Sequence, residues 1–423
     1  MSWTILITNI GLSGRSGTEV VVEQLADGLR RRGHRPVVFA PQLGPLAEEM
    51  RARGHFVIDK PAGLPFRPDI IHAHHTGPAM AAIVAHPGVP ALFVCHDATS
   101  GFDAVPLHPR LRRIFAVDER CRARLVAEGA AAAAVQLLPN AVDLSRIPGR
   151  TLLAARPMRA VVFTKHSAHL PALRAACATK GIELQEYGVG VGRMIDRPEV
   201  VFAESDLVFA TARTALEASA AGAGVVVCDA RGCAGFLTRA NAEAWLPYNL
   251  GAGILAHPCD ATQLSAAIAD WSAAEAAAAS ALVRERCGLE LRLAQLDTIY
   301  SEMLAAAPVA DAAAEAAAVG TFIAGWVPHF DQQAPWRRLA DTVASPPLGS
   351  PIDALNVRLT TLTEKVDILS AAVGDAMKAA QPPPSLGMRL EAIARGLWRR
   401  VVPLRLREPL HRFRRRLLAA LLR

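Results

Sequence analysis

Neither a long apolar run nor a set of paired cysteines occurs in this 423-residue sequence, and aromatic residues make up only 5% of it. With no stretch near the ~18 apolar residues that cross a bilayer, no membrane-spanning helix is expected. The seven cysteines, at 95, 121, 177, 228, 233, 259 and 287, are odd in number and include no CxxC pair. That excludes a disulfide framework and a zinc knuckle and suits a reducing cytoplasm. LFVC, ending at Cys95, and VVVC, ending at Cys228, read as strands whose thiols are small buried hydrophobes. The opening MSWTILITNIG lacks the charged and long apolar regions of a secretory signal and reads as a first strand.

What is present is a core-forming composition, 52% hydrophobic against 20% charged, at a length that suggests two packed domains and an addition. The formal charge of +7 is misleading about the body of the protein. Residues 381–423 alone hold eleven Arg against two Glu, or +9, so the other residues sum to −2. The basic character belongs to one tail.

Strand and helix signals alternate along the chain. Trp3–Thr8 is β-rich, and Val21, Val22, Leu25, Ala26 and Leu29 recur at helical spacing within Thr18–Arg32, which Gly33 ends. Val37–Ala40, Pro45–Arg53, Phe56–Ile58, Asp69–Ala73, Pro78–Ala85, Ala91–Cys95, Ile114–Val117, Glu119–Glu128 and Val135–Leu138 continue the order. It restarts at Ala160–Thr164 and runs to about Ala305, with Ala273–Leu304 read as one long helix. The expected fold is α/β: two Rossmann-like doubly wound domains, 1–150 and 151–305, facing a cleft, plus a helical C-terminal extension. In that extension, 306–351 reads as an Ala/Pro-rich linker. Residues 352–380 carry Ile352, Leu355, Leu359, Leu362, Val366, Leu369 and Val373 at coiled-coil spacing, the pattern of a helix that self-associates or docks on its own chain. The tail 385–423 mixes Leu and Trp398 with Arg, as a helix lying on an anionic membrane surface does. Its few aromatics argue against nucleic acid.

Ligands of doubly wound sheets bind beyond the carboxyl ends of the strands, so the loops there hold the candidates. The first loop, GLSGRSGTE, places Gly11, Gly14 and Gly17 ahead of a helix start that offers free amides to an anion or a sugar hydroxyl. Its spacing is GxxGxxG rather than the dinucleotide GxGxxG. HAHH brings His72 and His74, and VCHD brings His96 beside Asp97, an imidazole and a carboxylate able to orient or deprotonate a hydroxyl. Lys165 follows the first strand of the second half. Arg213 and Thr214 open a helix whose amides can take phosphate oxygens, with Glu217 one turn in for ribose hydroxyls. No convergent third and fourth metal ligands are evident, and no metal or other cofactor is expected.

The ordered series of the Gly-rich loop, GTEVVVEQLADGLRRRGHRPVVFAP, PDIIHAHH, VCHD, LLPNAVD and LEASAAGAGVVVCD resembles the GT-B glycosyltransferases of the family 4 type over about residues 1–305. The resemblance implies a nucleotide-diphosphate sugar held mainly by the second domain, an acceptor held mainly by the first, and metal-independent transfer with retention. By motif, Gly14 and Gly17 match the donor-facing loop, His96 the histidine near the reacting sugar, Lys165 the basic phosphate pair, and Glu217 the second glutamate of E-x7-E. The first glutamate is absent, since its position is Phe209, and Asp206 or Glu204 is the candidate substitute. The leading expectation is a cytoplasmic, peripherally membrane-bound glycosyltransferase acting on a glycan or lipid-linked acceptor in polysaccharide assembly. A transferase-shaped binding or scaffold protein is the alternative, and an epimerase of the same shape the third.

Overall fold

The computed structural model describes residues 2–150, 153–195, 197–307 and 311–326. The helical segment expected at 352–380 and the basic tail at 385–423 lie outside them. The described residues build two parallel α/β lobes.

In the first lobe, β1 (Thr4–Thr8), β3 (Arg35–Phe39), β5 (Phe56–Ile58), β6 (Ile70–His74), β7 (Ala91–Cys95), β8 (Leu111–Ala116) and β9 (Val135–Leu137) form one sheet in the order β5-β3-β1-β6-β7-β8-β9. All its neighbours are parallel. A parallel sheet covered on both faces needs near-continuous apolar strands, and TILIT, IIHAH and ALFVC are buried at every position. The covering helices are α1 (Gly17–Arg31), α2 (Pro45–Ala52), α3 (Thr76–Ala85) and α4 (Glu119–Ala127). A short ladder, β2 (Gly11–Leu12) with β4 (Gln42–Leu43), ties the loop after β1 to the loop after β3.

The second lobe has β10 (Arg159–Phe163), β11 (Glu183–Tyr187), β12 (Leu207–Ala210), β13 (Gly224–Asp229) and β14 (Gly232–Phe236), ordered β11-β10-β12-β13-β14. Its helices are α5 (Leu170–Lys180), α6 (Pro198–Glu204), α7 (Ala212–Ala220), α8 (Arg239–Trp245), α9 (Ala261–Ala269) and α10 (Ala273–Cys287). The strand β14 is antiparallel and was not legible, because GCAGF has neither β-branched residues nor alternation. Both sheets have doubly wound strand orders, with a topological switch between β1 and β6 in one and between β10 and β12 in the other.

The expected helix Ala273–Leu304 is two helices. Gly288 leaves helical geometry with ψ 139, ending α10 and beginning α11 (Leu289–Ala305). From there α11 returns to the first lobe, where Leu289, Leu293, Leu296, Tyr300 and Met303 enter the core. Each fully buried apolar side chain of this kind is worth about 1.5–3 kcal/mol. Gly28 of α1 makes the approach close enough that a Cβ there would collide with Leu293. The two crossings between lobes touch: Val142 N donates to Cys287 O at 2.7 Å and Leu289 N to Val142 O at 2.8 Å. Val142 and Ile147 already pack in the second lobe, so the chain changes lobe ahead of residue 150. Within the segment read as a linker, Ala312–Trp326 forms α12, as an alanine-rich run readily does, and Glu315 pairs with Arg110 of the first lobe at 2.9 Å.

Gly188, at the end of β11, has φ +113, and a Cβ on it would overlap the Thr164 carbonyl at the end of β10. Gly188→Ala should therefore destabilise the second lobe by about 2–4 kcal/mol, through both the backbone angle and the clash. An unchanged denaturant midpoint would show that the loop after β10 yields freely.

Candidate active site

The switch point of the first sheet is a histidine cluster. His72 and His74 alternate onto the same face of β6, with ring centroids 4.9 Å apart. His96 follows the end of β7, and its Nε2 lies 2.7 Å from His74 Nδ1. His72 Nδ1 lies 2.6 Å from the Tyr300 hydroxyl, which α11 delivers from the far end of the described chain. Burial pushes His72 and His96 down to about 3 and His74 well below its ordinary value, so all three rings are neutral at neutral pH. A bond between two neutral imidazoles needs one donor and one acceptor, so the tautomers of His74 and His96 are set together.

Asp97 stands apart from this cluster. Its Oδ1 accepts from Thr99 N, Thr99 Oγ1 and Ser100 N at 2.6, 2.7 and 3.0 Å. Burial works against its charge, but these bonds outweigh burial and hold the carboxyl below its usual range. The acid bonded to the His96 backbone is Asp103, whose Oδ1 accepts from the His96 main-chain N–H at 2.7 Å and which burial pushes up to about 6. His75, the residue before α3, has φ +61, uncommon for a residue other than glycine, and its Nδ1 accepts from the Ile10 amide at 3.3 Å.

The glycine loop already holds an anion of its own. Glu19 of α1 folds back so that Oε1 accepts from Ser13 N and Gly14 N at 2.7 and 3.0 Å, and Oε2 from Ser16 N at 2.8 Å. Burial opposes its charge, but the amides prevail and its pKa is lowered. The Gly14 amide is thus spoken for. Gly17 is exposed, with open space where a Cβ would stand.

On the second sheet, Lys165 is exposed in the loop after β10. The start of α7 sits across the switch point. Three residues around it carry positive φ without being glycine: Ala212 (+53), Asn249 (+56) and Leu250 (+49). Ala212 N donates to Leu250 O at 2.8 Å, while the Arg213 and Thr214 amides, in the first turn, have no intrahelical acceptor. Strain of this sort concentrates where a loop must hold a ligand-facing geometry. Glu217 Oε1 accepts from Arg213 Nε at 2.8 Å. Phe209 is fully buried in the core beneath α5 and α9. Asp206 cannot stand in for the missing glutamate: it precedes β12, at the opposite sheet edge, where it accepts from Met158 N and Arg159 N and pairs with Arg150. Glu204 belongs to the end of α6, also before that strand. The carboxylate at the carboxyl edge is Asp229, which ends β13 and accepts from Thr211 Oγ1 at 3.1 Å.

Between the lobes lies a small pocket, partly open to solvent. His72, His74, His96, Arg213, Arg292 and Asn140 line it, with Leu25, Val94, Leu138 and Leu296 among the apolar walls. Of the residues singled out from sequence, the fold therefore brings together His72, His74, His96 and Arg213. It leaves Asp97, Gly14, Gly17, Lys165, Thr214 and Glu217 off the pocket wall. Arg292 and Tyr300 were missed, because nothing local marks them: Arg292 Nη2 donates to Pro139 O, 153 residues away, at 2.9 Å. Burial pushes Arg292 down to about 10, so it remains a cation. Asn140 belongs to the quoted LLPNAVD, and its amide donates to Asn249 Oδ1 of the second lobe at 3.2 Å. Among the described residues, no three His, Cys, Asp or Glu side chains are grouped to hold a metal ion, and no helix is long and apolar enough to cross a membrane.

Residues 15–146 match the model of Glycosyltransferase Family 4. No protein of curated function matches the sequence. The fold is similar to that of a glycosyltransferase from Rickettsia africae ESF-5, with 15% identity, 72% of this chain and 100% of that one covered, and a TM-score of 0.52. It is also similar to HepE from Anabaena, solved in complex with UDP, with 14% identity, 71% and 100% coverage, and a TM-score of 0.50. Over residues 15–146, most of the first lobe, the chain thus resembles Glycosyltransferase Family 4, and its two doubly wound lobes share the fold of these solved proteins.

Proposed function

We propose that the protein moves a sugar from a nucleotide-diphosphate donor to an acceptor hydroxyl, with retention and without a metal, in the assembly of a polysaccharide or other glycan. The observation that carries this reading is the reach of Arg213 from the start of α7 in the second lobe into the His72–His74–His96 pocket of the first. Each switch point thus contributes to one site. The free first-turn amides of α7, with Lys165 across the switch point, would receive the diphosphate and stabilise its charge as the glycosidic bond breaks. His96 would accept a hydrogen bond from the acceptor hydroxyl and position it. The UDP held by the Anabaena protein supports a nucleotide-sugar donor. Residues 385–423 would hold the enzyme on an anionic membrane face within the cytoplasm, near a lipid-linked acceptor, and 352–380 would pair with a second copy.

Turnover of a labelled panel of UDP-, GDP-, ADP- and dTDP-sugars by the full chain, with and without chelator, tests the reading. Activity with one donor class, insensitive to chelator, is expected. Glu217→Ala should raise the donor KM about tenfold or more, the cost of one charge-assisted hydrogen bond, and equal kinetics would remove Glu217 from the donor site. The alternative of a binding protein without transfer is favoured by Phe209, since the buried side chain there leaves no acid at that motif position. It requires that no donor in the panel turn over.

A further inference from the structure

Arg213 enters the pocket with only part of its guanidinium engaged. Nε donates to Glu217, while Nη1 and Nη2 are buried and have no partner. The side chain is 12% exposed, so bulk water reaches little of it. Buried donors of a charged group are normally satisfied, and leaving them open is costly. His74 lines the same pocket, and its Nε2 is likewise buried without a partner. Around them stand His96 and the cation Arg292, and no Asp or Glu lines the pocket. Every full charge facing the space is positive.

We propose that this pocket receives a carboxylate carried by a sugar, making the substrate an acidic saccharide of the uronic acid class. The inference rests on the transfer reading above and specifies its substrate. With Nε committed to Glu217, the Nη1/Nη2 edge presents two N–H groups side by side, which matches a carboxylate in bidentate fashion. When His96 Nε2 carries its proton and donates to His74 Nδ1, His74 Nε2 holds a hydrogen and becomes a third donor to the same group. Lys165, Thr214 and Glu217 do not line the pocket, so the carboxylate and the diphosphate occupy different ground.

Calorimetry on the full chain tests this with UDP-glucuronate against UDP-glucose, GDP-mannuronate against GDP-mannose, and free glucuronate against free glucose. The wild type should favour the acidic form by at least about tenfold, Arg213→Met should erase the preference, and Arg213→Lys should retain part of it. A preference among the nucleotide sugars assigns the carboxylate to the donor, and one confined to the free sugars assigns it to the acceptor. Equal affinities in the wild type, or a preference that survives in Arg213→Met, overturn the inference, and the wild-type comparison does so even where a variant fails to fold. Nucleotide binding without acid preference would leave the transfer reading standing. Absence of all nucleotide binding would overturn that reading, with the free-glucuronate arm deciding separately whether the pocket takes a carboxylate.

Discussion

His96→Ala is expected to lower kcat for sugar transfer by about tenfold or more, the cost of losing a hydrogen bond that positions the acceptor hydroxyl, while donor KM changes little. His96 stands at the carboxyl end of β7, beside the switch point, and reaches the mouth between the lobes that Arg213 enters from the other side. Its Nε2 is engaged by His74, and its Nδ1 makes no hydrogen bond among the described residues. With the proton on Nε2, Nδ1 is a neutral acceptor for a substrate hydroxyl, and burial keeps the ring in that state down to about pH 3. Asp97→Asn provides the contrast. All three bonds to its side chain fall on Oδ1, which the amide oxygen of asparagine can accept equally well. Its turnover should stay within about threefold of wild type, as for an exposed loop cap whose bonds are kept. A His96→Ala enzyme with more than half of the wild-type kcat, or an Asp97→Asn enzyme as impaired as His96→Ala, would reverse these roles.

The protein should lose stability as pH falls from about 6.5 towards 4. In the folded state His72 and His96 are held at about 3, His75 at about 4, and His74 well below 6.5, all chiefly by burial. Unfolded histidines take up protons near pH 6.5. Below that value the unfolded chain therefore binds protons that these four refuse in the native state, and the stability they contribute above it is lost on acidification. Asp103 acts in the opposite sense. Burial raises it from 3.8 to about 6, so its contribution is fully present below the unfolded value and is lost as pH rises through 6. His86, His108 and His169, lowered by burial as well, act in the same sense as these four, so the histidines decide the sign against Asp103. Each net proton changes stability by about 1.4 kcal/mol per pH unit, which implies a fall in Tm on the order of 10 °C between pH 7.5 and 5. Thermal melts across that range check it, and a Tm that holds or rises on acidification would show that the cluster is solvated and free to protonate.

Much of the architecture follows from local pattern alone. TILIT, IIHAH, ALFVC and RAVVF are each too short for a helix and too apolar for a surface strand, and the helical periodicity between them leaves a parallel sheet as the way to bury both faces. Such a sheet puts its functional loops at the carboxyl ends of the strands, which is why His74, His96, Lys165 and Arg213 could be singled out in advance. Asp206 was considered for the same edge, although its place before β12 puts it at the other end of the sheet.

What the letters could not specify were the contacts between segments far apart in sequence. Alanine favours helix without marking where one ends, so the break at Gly288 and the return of α11 to the first lobe depended on the core it enters. That return brings Tyr300 to His72 and Arg292 to the pocket wall, across separations that no periodicity records. Gly14 was read as part of a donor-facing loop, yet Glu19, a buried acid needing donors, takes its amide. Periodicity and turn chemistry are local and determined the two lobes and their binding edges. Which polar groups are already satisfied and which, like the Arg213 guanidinium, are left open is a property of packing, and only the tertiary structure decided it.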